Sequence, residues 1–147
     1  MKLATESQSS SGEFRLQMPI GLIGLPKLNN FSISLEENSW PFMTMKASEQ
    51  QNLHFVVIDP GTVIPDYEIE LSDEDAEFLD IKSAVDAMVL NIVTVHSLHP
   101  QFVTVNLVGP IVINRHTGVG KQIIVMSWDR ASATYTLIDE RERQNAA

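Results

Sequence analysis

The sequence predicts a mainly β protein, a small antiparallel β-barrel or sandwich-like single domain with a short helical insertion. Three observations lead there. Apolar and polar residues alternate with a period of two over several short stretches, which marks half-buried strands. Turn signals rich in Gly, Pro, Asn and Asp separate those stretches at short intervals. Helical periodicity with a capping residue occurs only between Ser72 and Ala87. Strand after strand without intervening long helices suits an antiparallel sandwich or closed barrel and not a βαβ fold.

Residues 1–12 are polar and Ser-rich and read as a disordered N-terminal tail. Residues 13–138 then form the domain. Phe14, Leu16, Met18 and Ile20 alternate with polar positions in a first strand, and Gly21 to Pro26 is a turn-rich connector. Phe31, Ile33 and Leu35 make the second strand, and Pro41 to Lys46 the third. Leu53 to Ile58 is a buried fourth strand, stopped by Asp59-Pro60-Gly61. Ser72 caps a helix whose first turn holds Asp73, Glu74 and Asp75, favoured by the positive end of the helix dipole. Ser83 and Asp86 start a second helical turn. Met88 to Val95 is a continuous apolar run containing Asn91, rich in β-branched residues, and reads as a central strand. His96 to Pro100 reads as a loop, Lys121 to Trp128 as a strand, and Ala133 to Ile138 as the last one. Residues 139–147 read as a charged C-terminal tail.

Thr104 to Asn114 is two β-branched runs hinged at Gly109-Pro110. Proline has no N–H for a central ladder and glycine tolerates a sharp bend, so the chain turns a corner there. Asn106 and Asn114 flank it inside apolar sequence and are expected to tie backbone groups across the corner. The hinge Asn106, Gly109, Pro110 and Asn114 is therefore structural, since no acid, thiol or serine stands beside it.

The net charge of −9 is concentrated. Asp66, Glu68, Glu70, Asp73, Glu74, Asp75, Glu77 and Asp80 lie in one run without Lys or Arg; −9 plus these 8 leaves −1 for the remainder. Phosphate repels such a surface, so direct nucleic-acid binding is excluded and a basic protein is the fitting partner. Within this run Asp66, Glu68 and Glu70 are expected to share a face, with Tyr67 pointing the other way to anchor the loop in the core.

Several chemistries drop out. With no cysteine there is no disulfide, thiolate nucleophile or thiolate metal site. Gly118 to Gln122 lacks the residues of a phosphate loop, and the acidic run lacks the glycine and spacing of a calcium loop. His96, His99 and His116 have no carboxylate support in sequence, so no metal and no cofactor are expected. No apolar leader or membrane-length run is present, which places the protein in the cytoplasm. The residues alone point to a binding protein rather than an enzyme. The rival reading is a small-ligand-binding or metal-dependent enzymatic β-barrel module, with a deep pocket lined by the histidines or the acidic run.

A resemblance goes further. Gly21-Leu22 with Gly24 and Phe31, Pro41-Phe42, Leu53 with Phe55-Val56-Val57 and Asp59-Pro60, and Pro65-Asp66-Tyr67-Glu68 come first. Asn106-Leu107 with Pro110 to Asn114, and Gly120 to Ile124, complete the set. In this order and spacing they resemble the bacterial flagellar assembly factor FliW family over roughly residues 13 to 126. The resemblance implies a non-enzymatic regulator with two protein partners; a monomer without direct contact to nucleic acid or membrane is the accompanying expectation. One partner is the carbon storage regulator CsrA, an RNA-binding repressor of flagellin translation; the other is flagellin. Such a factor antagonises CsrA and acts as a sensor and chaperone for flagellin. Asp66, Tyr67, Glu68 and Glu70 are then the candidate CsrA contact.

Overall fold

The computed structural model describes residues 1–4, 12–36, 38–125 and 133–141. Four strands, β2 (Gly12–Gln17), β3 (Asn30–Leu35), β4 (Phe42–Ala47) and β5 (His54–Ile58), form an antiparallel meander of sequential neighbours. Their alternation is the cause: in β3, Phe31 and Ile33 are buried while Asn30 is exposed. β5 pairs with the 12-residue β7 (Ala87–Leu98), through Val56↔Val93, Val57↔Ile92 and Ile58↔Asn91. Between β5 and β7 lie β6 (Glu68–Glu70), helix α1 (Asp73–Phe78) and two single 3₁₀ turns, Pro60–Thr62 and Ala84–Asp86. Beyond β7, β8 (Gln101–Asn106) and β9 (Ile111–Asn114) pair with successive parts of it. β10 (Gly120–Gln122) adds to β9, and β11 (Thr134–Asp139) adds to β8.

The apolar interior has two parts, one on each face of the central strands. Val57, Leu90, Ile111 and Ile113 face one cluster with Phe31, Met45 and Leu16. Their neighbours Ile58, Val89 and Val112 face the other, with Tyr67, Ile69, Leu79 and Leu3. Strands buried on both faces need unbroken apolar sequence, and that is why β7 and β9 read as runs while β2 alternates. The sheet curls until its ends meet at one parallel bridge, Gln17↔Val119, where the Gln17 N–H donates to Gly118 O at 2.8 Å. One bridge does not close a barrel, so of the two expected forms the sandwich-like one holds.

Several expected boundaries change. Residues 1–12 are not wholly a disordered tail: β1 (Lys2–Ala4) pairs antiparallel with β6, Leu3 is 2 % exposed, and Gly12 already belongs to β2. A three-residue strand carrying one apolar residue has no periodicity to see; it is ordered by the surface β6 offers. Residues 5–11 lie outside the described residues. At the other end Asp139 closes β11, and the Glu140 N–H donates to Gln101 O at 2.9 Å, so the charged tail begins later than 139 among the described residues; 142–147 lie outside them. The loop expected from His96 is instead the end of β7, which continues through Leu98 past a bulge between Val95 and Ser97. The first strand stops at Gln17, leaving Ile20 exposed in the connector. The second half of the strand expected over Lys121 to Trp128 falls in 126–132, outside the described residues.

Candidate protein-docking site

The acidic segment forms a rim over the second core cluster. Asp66 is exposed in a turn with φ of 57°, a left-handed conformation that aspartate tolerates. Glu68 and Glu70 are exposed on β6 either side of buried Ile69. Tyr67 turns inward, 3 % exposed, and its hydroxyl donates to Leu107 O at 3.0 Å and accepts from Asn91 Nδ2 at 3.1 Å. Burial raises the pKa of this phenol, and the Asn91 bond opposes that only in part. The anchoring orientation of Tyr67 is thus as expected, and it holds the rim from beneath rather than facing solvent.

The rim carboxylates are not the unpaired trio that their spacing suggested. Lys2 Nζ lies 3.5 Å from Glu68, and the Met1 amino group lies 3.1 Å from Glu70. One cation belongs to the first residue of β1 and the other to Met1, the residue before it. Further along, the Ser72 hydroxyl accepts the Asp75 N–H at 3.1 Å and so caps α1. Asp75 pairs with Lys121, whose ammonium also stands 5.4 Å over the Phe78 ring.

Beneath the rim lies the β8–β9 hinge. Between the pairs Val93↔Val105 and Leu90↔Ile111, β7 advances three residues and its partner six, so three residues are looped out at the corner. Asn106 Oδ1 accepts the N–H groups of Val108 and Gly109, each at 2.8 Å, which is the backbone-tying role expected of it. Gly109 O accepts from Gln122 Nε2 at 3.0 Å, and Gln122 Oε1 accepts the Ile23 N–H at 2.9 Å. A Cβ on Gly109 would meet Gln122 Nε2 at 2.8 Å, so a larger residue there would push the Gln122 amide aside. Asn114 works elsewhere than expected. Its Nδ2 donates to Leu79 O and Asp80 O at 2.9 and 3.1 Å, and its Oδ1 accepts from His116 N and Thr117 N at 2.8 and 3.2 Å. It therefore joins the end of α1 to the β9–β10 turn, and Pro110 alone with Asn106 and Gly109 makes the corner. The residue missed in sequence is Asn91, fully buried, whose Nδ2 also donates to Asn106 O at 2.8 Å. Its only sequence signal is being an amide inside an apolar run.

The histidines do not converge. His96 Nε2 is 2.8 Å from Thr104 Oγ1 and its ring stacks on Phe102 with centroids 4.5 Å apart. His116 Nε2 bonds Asp86 Oδ1 at 2.8 Å, and this bond holds the Asp86 carboxyl below the usual range. Among the described residues no three His, Asp or Glu side chains are grouped to hold a metal ion. A cleft of about 410 Å³ opens between β1, β2 and the start of β7, lined by residues including Trp40, Met43 and Arg115. None of His96, His99, His116 or the 66–80 acids lines it.

The sequence pattern described as FliW protein matches residues 3–137. The chain belongs to the FliW family. A flagellar assembly factor FliW from Natranaerobius thermophilus is 37 % identical over 110 residues, covering 75 % of this chain and 73 % of that one. The FliW of Clostridium novyi is 41 % identical over 113 residues, 77 % and 76 % of the two chains. That of Clostridium tetani is 35 % identical over 124 residues, 84 % and 83 %. A crystal structure of the flagellar assembly factor FliW superposes with a TM-score of 0.77 at 29 % identity, covering 96 % of this chain and 99 % of that one. FliW is named for assembly and not for a reaction, and the antiparallel sandwich with one short helix is the fold that crystal structure shares. No helix among the described residues is long and apolar enough to cross a membrane.

Proposed function

We propose that this protein is a cytoplasmic, non-catalytic regulator of flagellin production. It binds CsrA, relieving repression of flagellin translation, and binds flagellin as a sensor and chaperone. Occupancy by one partner weakens the other by the same factor in both directions, so accumulated flagellin releases CsrA. The observation that carries this reading is the match to flagellar assembly factors along nearly the whole chain. The acidic rim supplies a suitable surface, because an RNA-binding protein presents basic side chains and opposite potentials accelerate docking. Asp66, Glu68 and Glu70 form the contact and Tyr67 positions it. Lys2 and the Met1 amine offset part of this charge, but the side chains of Glu68 and Glu70 remain 47 % and 73 % exposed and accessible to a competing cation.

The test is association kinetics of purified CsrA and flagellin with Glu68→Lys/Glu70→Lys at low and high salt. CsrA association should slow by about tenfold at low salt and lose most of its salt dependence. Flagellin binding should change less. Unchanged CsrA association at low salt would remove the rim from the reading.

A further inference from the structure

Away from the acidic rim, four aliphatic side chains stand out in water. Ile20, Ile23 and Leu25 lie on the connector between β2 and β3 and are 51 %, 58 % and 40 % exposed; Ile124, just past β10, is 55 % exposed. The Ile123 and Val125 N–H groups donate to Pro110 O and Val108 O at 3.0 and 2.8 Å, so the chain stays extended there and alternate residues share a side. Ile124 thus shares a side with Gln122, whose Oε1 accepts the Ile23 N–H. The connector is tied down at many points. Leu22 and Leu25 exchange N–H···O bonds at 3.3 and 2.8 Å across a tight turn, with Ile23 at its tip. Asn29 Nδ2 donates to the carbonyls of Met18, Pro19 and Pro26 at 2.9, 3.4 and 3.2 Å. Glu49 Oε1 accepts the N–H groups of Asn29 and Asn30 and the Asn30 side-chain amide. Met18, Leu22 and Leu28 are buried in the first core cluster beneath.

Single exposed aliphatic side chains are ordinary, but several fixed on one tied loop form a surface that is already in its binding shape. Docking on it costs little ordering entropy. The local charge says what fits. Residues 14–35 carry Arg15 and Lys27 and no Asp or Glu, in a chain of net charge −9. The Glu49 carboxylate at the base of the loop is taken up by the loop's own N–H groups. An aliphatic segment with an acid beside it is complementary to this patch and to Lys27, and a basic partner is not. We propose that Ile20, Ile23, Leu25 and Ile124 form the docking surface for an aliphatic, acid-flanked segment of flagellin. That flagellin is the occupant rests on the function proposed above; the apolar surface and its charge preference do not. The two partners then meet chemically opposite surfaces, a basic one at the rim and an apolar one at this loop.

Calorimetric titration of the full chain with purified flagellin and with CsrA, at low and high salt, tests it on wild type, Ile23→Ser/Ile124→Ser and Lys27→Glu. All three side chains are exposed, so the variants should unfold at the wild-type urea midpoint. Ile23→Ser/Ile124→Ser should weaken flagellin binding by about tenfold or more at both salt concentrations and make its heat-capacity change less negative. Lys27→Glu should weaken flagellin binding by about threefold at low salt and little at high salt. CsrA binding should match wild type in both. Wild-type flagellin affinity in Ile23→Ser/Ile124→Ser, or an equal loss of CsrA binding, overturns the patch and leaves the proposed function standing. If flagellin does not bind wild type, the proposed function fails on that partner. Two amphipathic helical peptides with the same leucine face, one flanked by Glu and one by Lys, then decide the patch by amide resonance shifts. Shifts at Ile23, Leu25 and Ile124 with the Glu-flanked peptide and weaker ones with the Lys-flanked peptide support it. No shift, or equal shifts with both, overturns it.

Discussion

Asn114 satisfies four backbone groups with one side chain, two carbonyls at the end of α1 and two N–H groups in the β9–β10 turn. Asn114→Leu keeps the volume and orphans all of them, so it should cost about 1–3 kcal/mol or somewhat more, and Asn106→Leu about 1–3 kcal/mol. Denaturant titration of both variants checks this; wild-type midpoints would place these amides in an exposed contact instead. Tyr67 gives a pH dependence. Burial raises its folded-state pKa above the unfolded value, so the folded protein holds the proton more tightly. Its contribution is complete below about pH 10 and is lost as pH rises through the folded value. Urea midpoints should therefore fall in alkaline solution for wild type and fall less steeply for Tyr67→Phe. Equal slopes would mean that the phenol titrates as if exposed.

The two-stranded β1–β6 ladder is a small element with a large share of the second core cluster. Leu3 and Ile69 face each other across it, both buried, above Leu71 and Tyr67. Leu3→Ala should destabilise the protein by about 2–5 kcal/mol, as removal of a buried leucine does. Thermal and urea unfolding measure it, and no change would return residues 1–4 to the status of a tail. Lys2 of this ladder and the Met1 amine beside it reach the rim, so this element contributes to both the anchoring and the net charge of the acidic rim.

Two apolar clusters hold the domain, and among the described residues no three His, Asp or Glu side chains are grouped to hold a metal ion. The melting temperature should be the same with and without a chelator; a drop of several degrees would show a bound metal that stabilises the fold.

Period-two alternation in β2 and β3, the apolar run of β7 and the Gly109-Pro110 break made the sheet legible, since those signals are local and arise from burial of one face or both. Ser72 with Asp75, and Ser83 with Asp86, made both helical starts legible for the same reason: capping acts within one turn. The family, too, could be read from ordered short motifs, as could the inward turn of Tyr67. What depended on distant neighbours could not. β1 is a strand only because β6 lies beside it, and Lys2 neutralises Glu68 only because the ladder brings together residues 66 positions apart. Asn91 and Asn114 are one amide each within apolar runs, and nothing along the chain says which carbonyls they will meet. A hydrogen bond is directional and short-ranged, so its partner is settled by the packing of strands that meet only once the sheet has folded over its core, whereas the hydrophobic pattern that drives that folding is written along the chain.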